Sequence, residues 1–215
     1  MIQGLFDDFD PAEVAAAVLS REQDIEAIGH ASAMRRTHQV QTRRIHNEAS
    51  LSGLLPARIE AGTSWHVLSS GDIDVLSITR HLLHGAGSFD SLRMTTWRIN
   101  RDDLEQIEKW LDAGIVETFH LLIDQRFQRL APDEYALAKH ITTTYGGSVN
   151  MTLNHSKVTL ASNAATNYWL AIESSANVNT NRRLEQTAIH HSRELHDFYQ
   201  EAFNAIHRRL RTTPL

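Results

Sequence analysis

An α/β fold, a mixed β-sheet flanked by helices, is what this sequence predicts, and three observations predict it. From Trp65 onward, short runs rich in β-branched and aromatic residues alternate with segments of helical spacing. A strand, a helix and a strand then follow one another between Leu92 and Ile123, the length of a βαβ unit with parallel strands. Two more extended runs, Val149 to Ala161 and Tyr168 to Asn177, are joined by the polar connection Ser162 to Asn167 and read as a hairpin-like pair.

Each element has its own signals. Asp10-Pro11-Ala12-Glu13 is a helix start, with Asp as N-cap, Pro in the first turn and Glu at the third position. An imperfect apolar stripe follows through Val14, Val18, Ile25 and Ile28, and Leu51 to Pro56 reads as a break. Residues 1–60 are therefore expected to form a mostly helical N-terminal extension, with the main domain over 61–215. Ile73 to His84 has helical spacing and stops at Gly85-Ala86-Gly87. Leu92 to Ile99 is strand-like. Asn100 caps a helix with Asp102 and Asp103 in its first turn and Gly114 at its end. Val116 to Ile123 is an apolar, buried strand, and Pro132-Asp133-Glu134 opens another helix that stops at Gly146-Gly147. By pattern alone Leu184 to His191 fits either strand or helix. Ser192 caps a last helix with apolar positions at Leu195, Tyr199, Ala202, Ile206 and Leu210.

Composition narrows the function classes. Apolar residues make up 41% of the 215 and charged residues 22%, as in a globular chain. No apolar run approaches the roughly 20 residues that cross a bilayer. The acidic start, Met1 to Asp10, lacks the pattern of a secretory signal, which predicts a cytoplasmic protein. The absence of cysteine excludes disulfides and thiolate metal sites. The net charge of −5 does not announce a nucleic-acid binder. It is uneven, however: Arg35, Arg36, Arg43 and Arg44 form a basic run that either meets phosphates or, as the simpler reading, is a solvated helix face. Asp124-Gln125-Arg126 ends a parallel strand, where α/β sheets often bind ligands, although the simpler reading is a polar loop start. His190, His191 and His196 lack zinc-motif spacing and read as packing or surface residues.

The residues that carry chemistry lie late in the chain. His155 and Lys157 are two apart, and Ser175 and Asn177 are two apart, so extended backbone puts each pair on one face of a sheet. Together they suit a phosphate ester. Imidazole attacks phosphorus, ammonium neutralises the non-bridging oxygens, and Ser and Asn donate hydrogen bonds to them. Only Lys109, Lys139 and Lys157 are lysines in a chain that otherwise uses arginine, which makes a lysine beside a histidine more informative.

At these residues the sequence resembles the phospholipase D superfamily, whose signature is His-x-Lys, an Asp five residues later, then Gly-Ser-x-Asn and a Glu. His155, Lys157, Ser175, Asn177 and Glu185 match in order, whereas Ser162 stands at the Asp position and Ser174 at the Gly position. The resemblance covers about residues 65 to 210. It implies a strand for Leu184 to His191, and a metal- and cofactor-independent phosphodiesterase working through a phosphohistidine on His155. Lys157, Asn177 and Ser175 would hold the phosphate, and Glu185 would accept from the far imidazole nitrogen. Asn163, Ser174, Arg35 and Arg36 are further substrate-binding candidates. The reaction needs a second histidine, yet among the thirteen histidines only His155 has Lys two residues on. The resemblance therefore implies a homodimer with the two His155 side chains facing across a twofold axis, as in the small endonuclease-type members, with nucleic acid as substrate. Two alternatives stand beside it: a phospholipase, and a binding or accessory protein of phage or mobile-element type that engages a protein partner through residues 1–60.

Overall fold

The structure is a computed structural model and describes residues 49–71, 73–178 and 183–212. Seven strands form one mixed sheet in the order β1-β7-β6-β5-β2-β3-β4. In chain order these are β1 (Ser64–Ser69), α1 (Val75–Ala86), β2 (Phe89–Thr96), α2 (Arg101–Asp112), β3 (Val116–Asp124), α3 (Phe127–Leu130), α4 (Pro132–Thr144), β4 (Ser148–Thr152), β5 (Val158–Asn163), β6 (Tyr168–Ser174), β7 (Glu185–His191) and α5 (Arg193–Thr212). The βαβ unit forms as the spacing predicts, with β2 parallel to β3, and β4 extends the parallel half. β5 turns the sheet antiparallel against β2, and β6, β7 and β1 continue it in that sense.

The helices start and stop for the expected reasons. Asn100 accepts a hydrogen bond from the Asp103 amide, and Gly114 ends the turn at a φ of 67°, open to glycine without strain. α1 begins two residues later than its spacing suggested, because the Asp74 side chain takes the Ser77 amide as its N-cap. Gly147, at the foot of β4, sits so close to the Phe119 carbonyl that a Cβ would lie 1.7 Å from that oxygen. Only glycine lets the chain enter there.

The sheet buries both faces. Leu92, Met94, Phe119, Leu121, Leu170 and Ile172 belong to the main core with residues of α1, α2 and α4. On the other face Val158, Leu160 and Ala171 pack against Leu195, Tyr199 and Phe203 of α5. The inward row of α5 thus runs through Phe203, and Ala202 is exposed, since steps of four from Leu195 reach 203.

Residues 49–54 are helical where the sequence suggested a break. The Leu55 amide bonds the Leu51 carbonyl, both side chains are buried, and Gly53 points to open space. Ile59 is buried too, and its amide and carbonyl bond Tyr168 and His191. These three apolar residues lie within the expected extension yet belong to the main core. No helix of the described residues is long and apolar enough to cross a membrane.

Candidate active site

The ends of six strands meet at one edge of the sheet. β2, β3 and β4 deliver their carboxyl ends there, at Thr96, Asp124 and Thr152; β5 and β7 begin there, at Val158 and Glu185; β6 ends there, at Ser174. This places the 153–157 loop, Ser175, Asn177 and Glu185 in one neighbourhood. It also corrects one expectation: Val149 to Ala161 is not a continuous strand. β4 and β5 lie at different positions in the sheet, so the chain must cross from one to the other, and His155 and Lys157 sit on that crossing.

Asn154 makes the crossing possible. It is buried, and its amide nitrogen donates to the Thr96 carbonyl at 2.9 Å and the Leu122 carbonyl at 3.3 Å, tying the loop to the ends of β2 and β3. Its oxygen accepts from the Ser156 amide at 3.1 Å and hydroxyl at 2.6 Å. Thr95 continues the clamp, since its hydroxyl lies 2.9 Å from that of Ser156 and accepts from the Val158 amide at 2.9 Å. Neither residue belongs to the motif. A polar residue directly before His-x-Lys was the only signal for Asn154, and Thr95 gave none.

On this clamp His155 is exposed and Lys157 is partly buried. The Lys157 ammonium lies 3.2 Å from His155 Nδ1 and donates to the His155 carbonyl at 2.9 Å. An ammonium has only donors, so Nδ1 accepts and the neutral imidazole carries its proton on Nε2. Burial pushes the Lys157 pKa below its ordinary value, and the nearby Glu185 carboxylate opposes that.

Glu185 begins β7, as the resemblance implied, and is buried. Its carboxylate accepts a short hydrogen bond from the Ser175 hydroxyl, not from the imidazole. Ser175 is built into the turn: its hydroxyl also accepts from the Gln186 amide at 3.0 Å, and its own amide donates to the Gln186 carbonyl at 3.0 Å. The Asn177 oxygen lies 3.5 Å from the Thr96 hydroxyl, at the long limit for a bond. Ser174 accepts from the Ala176 amide at 3.1 Å and meets the Thr187 hydroxyl at 2.8 Å.

Other candidates fall elsewhere. Asn163 is not brought to the site: it ends β5 at the opposite side of the sheet, and its amide nitrogen donates to the Ser88 carbonyl and hydroxyl. Five residues of strand separate it from Lys157, too far for a shared phosphate. Ser162 is buried in β5 between Ser91 and Trp169. Arg35 and Arg36 lie outside the described residues. Asp124 does reach the edge. It accepts from the Arg126 Nε at 2.7 Å and amide at 3.1 Å, which holds its carboxyl below the usual range. The same guanidinium lies 5.6 Å from the Trp97 ring centre. His191 bonds two backbone carbonyls and His196 packs edge-on against Trp169, so both serve packing.

No protein-family model matches the chain, and no curated protein matches it. Among solved structures it is similar to TrmBL2, an archaeal chromatin protein with a novel mode of DNA binding, at 10% identity and a TM-score of 0.50, covering 94% of this chain and 70% of that one. It also aligns with the polyphosphate kinase of Porphyromonas gingivalis at 18% identity and a TM-score of 0.47, over 71% of this chain but only 26% of the kinase. The first likeness, at that identity, is one of fold.

Proposed function

We propose that this chain is a phosphodiesterase of phospholipase D type, a nuclease that works without metal, as a homodimer, through a phosphohistidine on His155. The observation that supports the reading best is convergence: the 153–157 loop, the end of β6 and the start of β7 bring His155, Lys157, Ser175, Asn177 and Glu185 to one edge. A phosphodiester bound there would take a charge-assisted bond from Lys157 and draw the ammonium away from Nδ1. That frees the lone pair that Lys157 holds at rest. An imidazole nitrogen then attacks phosphorus, the P–O bond to the leaving group breaks, and His155 of the partner subunit gives that oxygen its proton. Water attacks the phosphohistidine in the second half, losing its proton to the same partner group. Leu153 and Leu184 stand exposed beside the site, at 79% and 72%, and give a second subunit apolar surface to cover.

One observation favours a second reading, a binding module of the same fold. Glu185 is engaged by Ser175 and leaves His155 without its orienting carboxylate.

Cleavage of bis(p-nitrophenyl) phosphate and of plasmid DNA in EDTA separates them. Wild type should cleave, and His155→Ala should lose about 1,000-fold or more while keeping its circular dichroism spectrum. Plasmid bound but never cut by a folded dimer would establish the binding module, and cleavage retained by the variant would displace His155 from the chemistry.

A further inference from the structure

A polar cavity of about 270 Å³ lies on the α5 face of the sheet, between β2, β3, β4 and the C-terminal half of α5. It exists because α5 changes character along its inward row. Leu195, Tyr199 and Phe203 are apolar and seal the second core, but the next step of four is His207, with Asn204 beside it. The strands below contribute Arg93, His120, Ser148 and Asn150 to its lining, beside Leu121 and Leu122.

Three of these six polar side chains are basic, and among the described residues no Asp or Glu lines the cavity. Arg93 Nη1 donates to the Asn204 oxygen at 2.9 Å, while its Nε is buried and has no hydrogen-bond partner. His120 Nδ1 meets the Ser148 hydroxyl at 3.0 Å, and His207 Nδ1 meets the Asn150 oxygen at 3.0 Å. A guanidinium stays charged in any protein, so Arg93 is a partly buried cation whose contacts within the cavity are all neutral. The missing component is an acceptor bearing negative charge.

We propose that this cavity binds a compact oxyanion, a phosphate ester or a carboxylate, at a site separate from the His155 edge. Arg93 supplies the charge, and the guanidinium N–H groups that face the cavity supply the directed bonds. The imidazoles of His120 and His207 flank the anion, and Asn204 holds the guanidinium in place. Burial, Arg93 and His207 together push the His120 pKa down to about 4, so its imidazole is neutral near pH 7 and a bound anion would raise that value. The cavity's volume suits a single small ligand and excludes a nucleic-acid strand.

The test uses the full chain carrying His155→Ala and Lys157→Ala, so that phosphate cannot report on the sheet edge. Calorimetric titration with inorganic phosphate and, separately, with citrate should show binding of at least one; the arm that binds identifies a phosphate or a carboxylate ligand. Arg93→Met should weaken that binding about 10-fold or more, the loss of a charge-assisted bond. Asn204→Leu, at a half-buried position on the rim of the cavity, should do the same by filling it, and covers the case in which Arg93→Met fails to fold. In the histidine proton spectrum, His120 should shift on titration. No binding of either ion by the folded background, or binding untouched by both cavity substitutions, would overturn the proposal.

Discussion

The sheet carries two polar regions, and they are built on opposite terms. At the edge, charged and polar groups are matched to one another: Lys157 with His155, Ser175 with Glu185, Arg126 with Asp124, Asn154 with two strand ends. In the cavity beside α5 the Arg93 guanidinium donates to the neutral Asn204 oxygen, and its buried Nε has no hydrogen-bond partner among the described residues. A matched set can be stable in the resting state and still reactive, because a substrate only exchanges partners within it. An unmatched one stores its cost until a ligand arrives. The edge resembles a site at rest, and the cavity a site waiting to be filled.

Removing Asn154 should break the matched region most severely. Asn154→Ala frees the carbonyls of Thr96 and Leu122 from a buried donor and releases Ser156, so the loop holding His155 loses its anchor. Unsatisfied buried groups of this kind cost about 2–4 kcal/mol in total. Urea denaturation should report that loss, and Ser175→Ala, at an exposed position, should report far less. Equal losses would mean that the edge is not organised around Asn154.

The cavity is sharpened by pH. His120 titrates near 6.5 when unfolded and at about 4 in the folded chain. Between those values the unfolded chain binds the extra proton, so stability falls as pH drops from 6.5 to 4 and the contribution is intact above 6.5. With the ring partly exposed to solvent, the loss is on the order of 2 kcal/mol. His120→Gln should flatten this part of the stability curve, and phosphate or citrate should shrink the wild-type loss by favouring the imidazolium. A curve of identical slope in the variant would remove His120 from the account.

The two regions also differ in how far the sequence revealed them. The edge is written in two short stretches, His155 to Lys157 and Ser174 to Asn177, whose pairs spacing shows, while Glu185 entered through the family resemblance. What spacing missed was the crossing from β4 to β5, because an apolar run does not show where one strand leaves off and a non-adjacent one begins. The cavity draws on Arg93, His120, Asn150 and His207, four residues on four elements that no local pattern joins. The βαβ unit, the caps at Asn100 and Ser192 and the strand at Glu185 were legible. Each depends on neighbours within a few residues, except the last, which the family resemblance supplied. Asn163 went the other way: close to Lys157 in the chain, it lies at the far end of β5 because five extended residues intervene.

The smallest expected effect concerns Ser174, where the resemblance expects glycine. A glycine would be required by left-handed backbone or by an approach too close for a Cβ; Ser174 carries its Cβ, and among the described residues other than glycine Asn167 alone has a positive φ. Ser174 instead uses its side chain, accepting from the Ala176 amide and meeting the Thr187 hydroxyl across the strand pair. Ser174→Gly would discard those bonds and add backbone freedom to the unfolded chain, a cost of about 1 kcal/mol. Thermal denaturation should therefore show a modest loss, with the Ser175 and Glu185 pairing kept and the proposed activity nearly unchanged. A gain in stability would mean that the turn is strained by its serine. The departure from the family signature would then be a defect of the edge, and not one more matched contact in it.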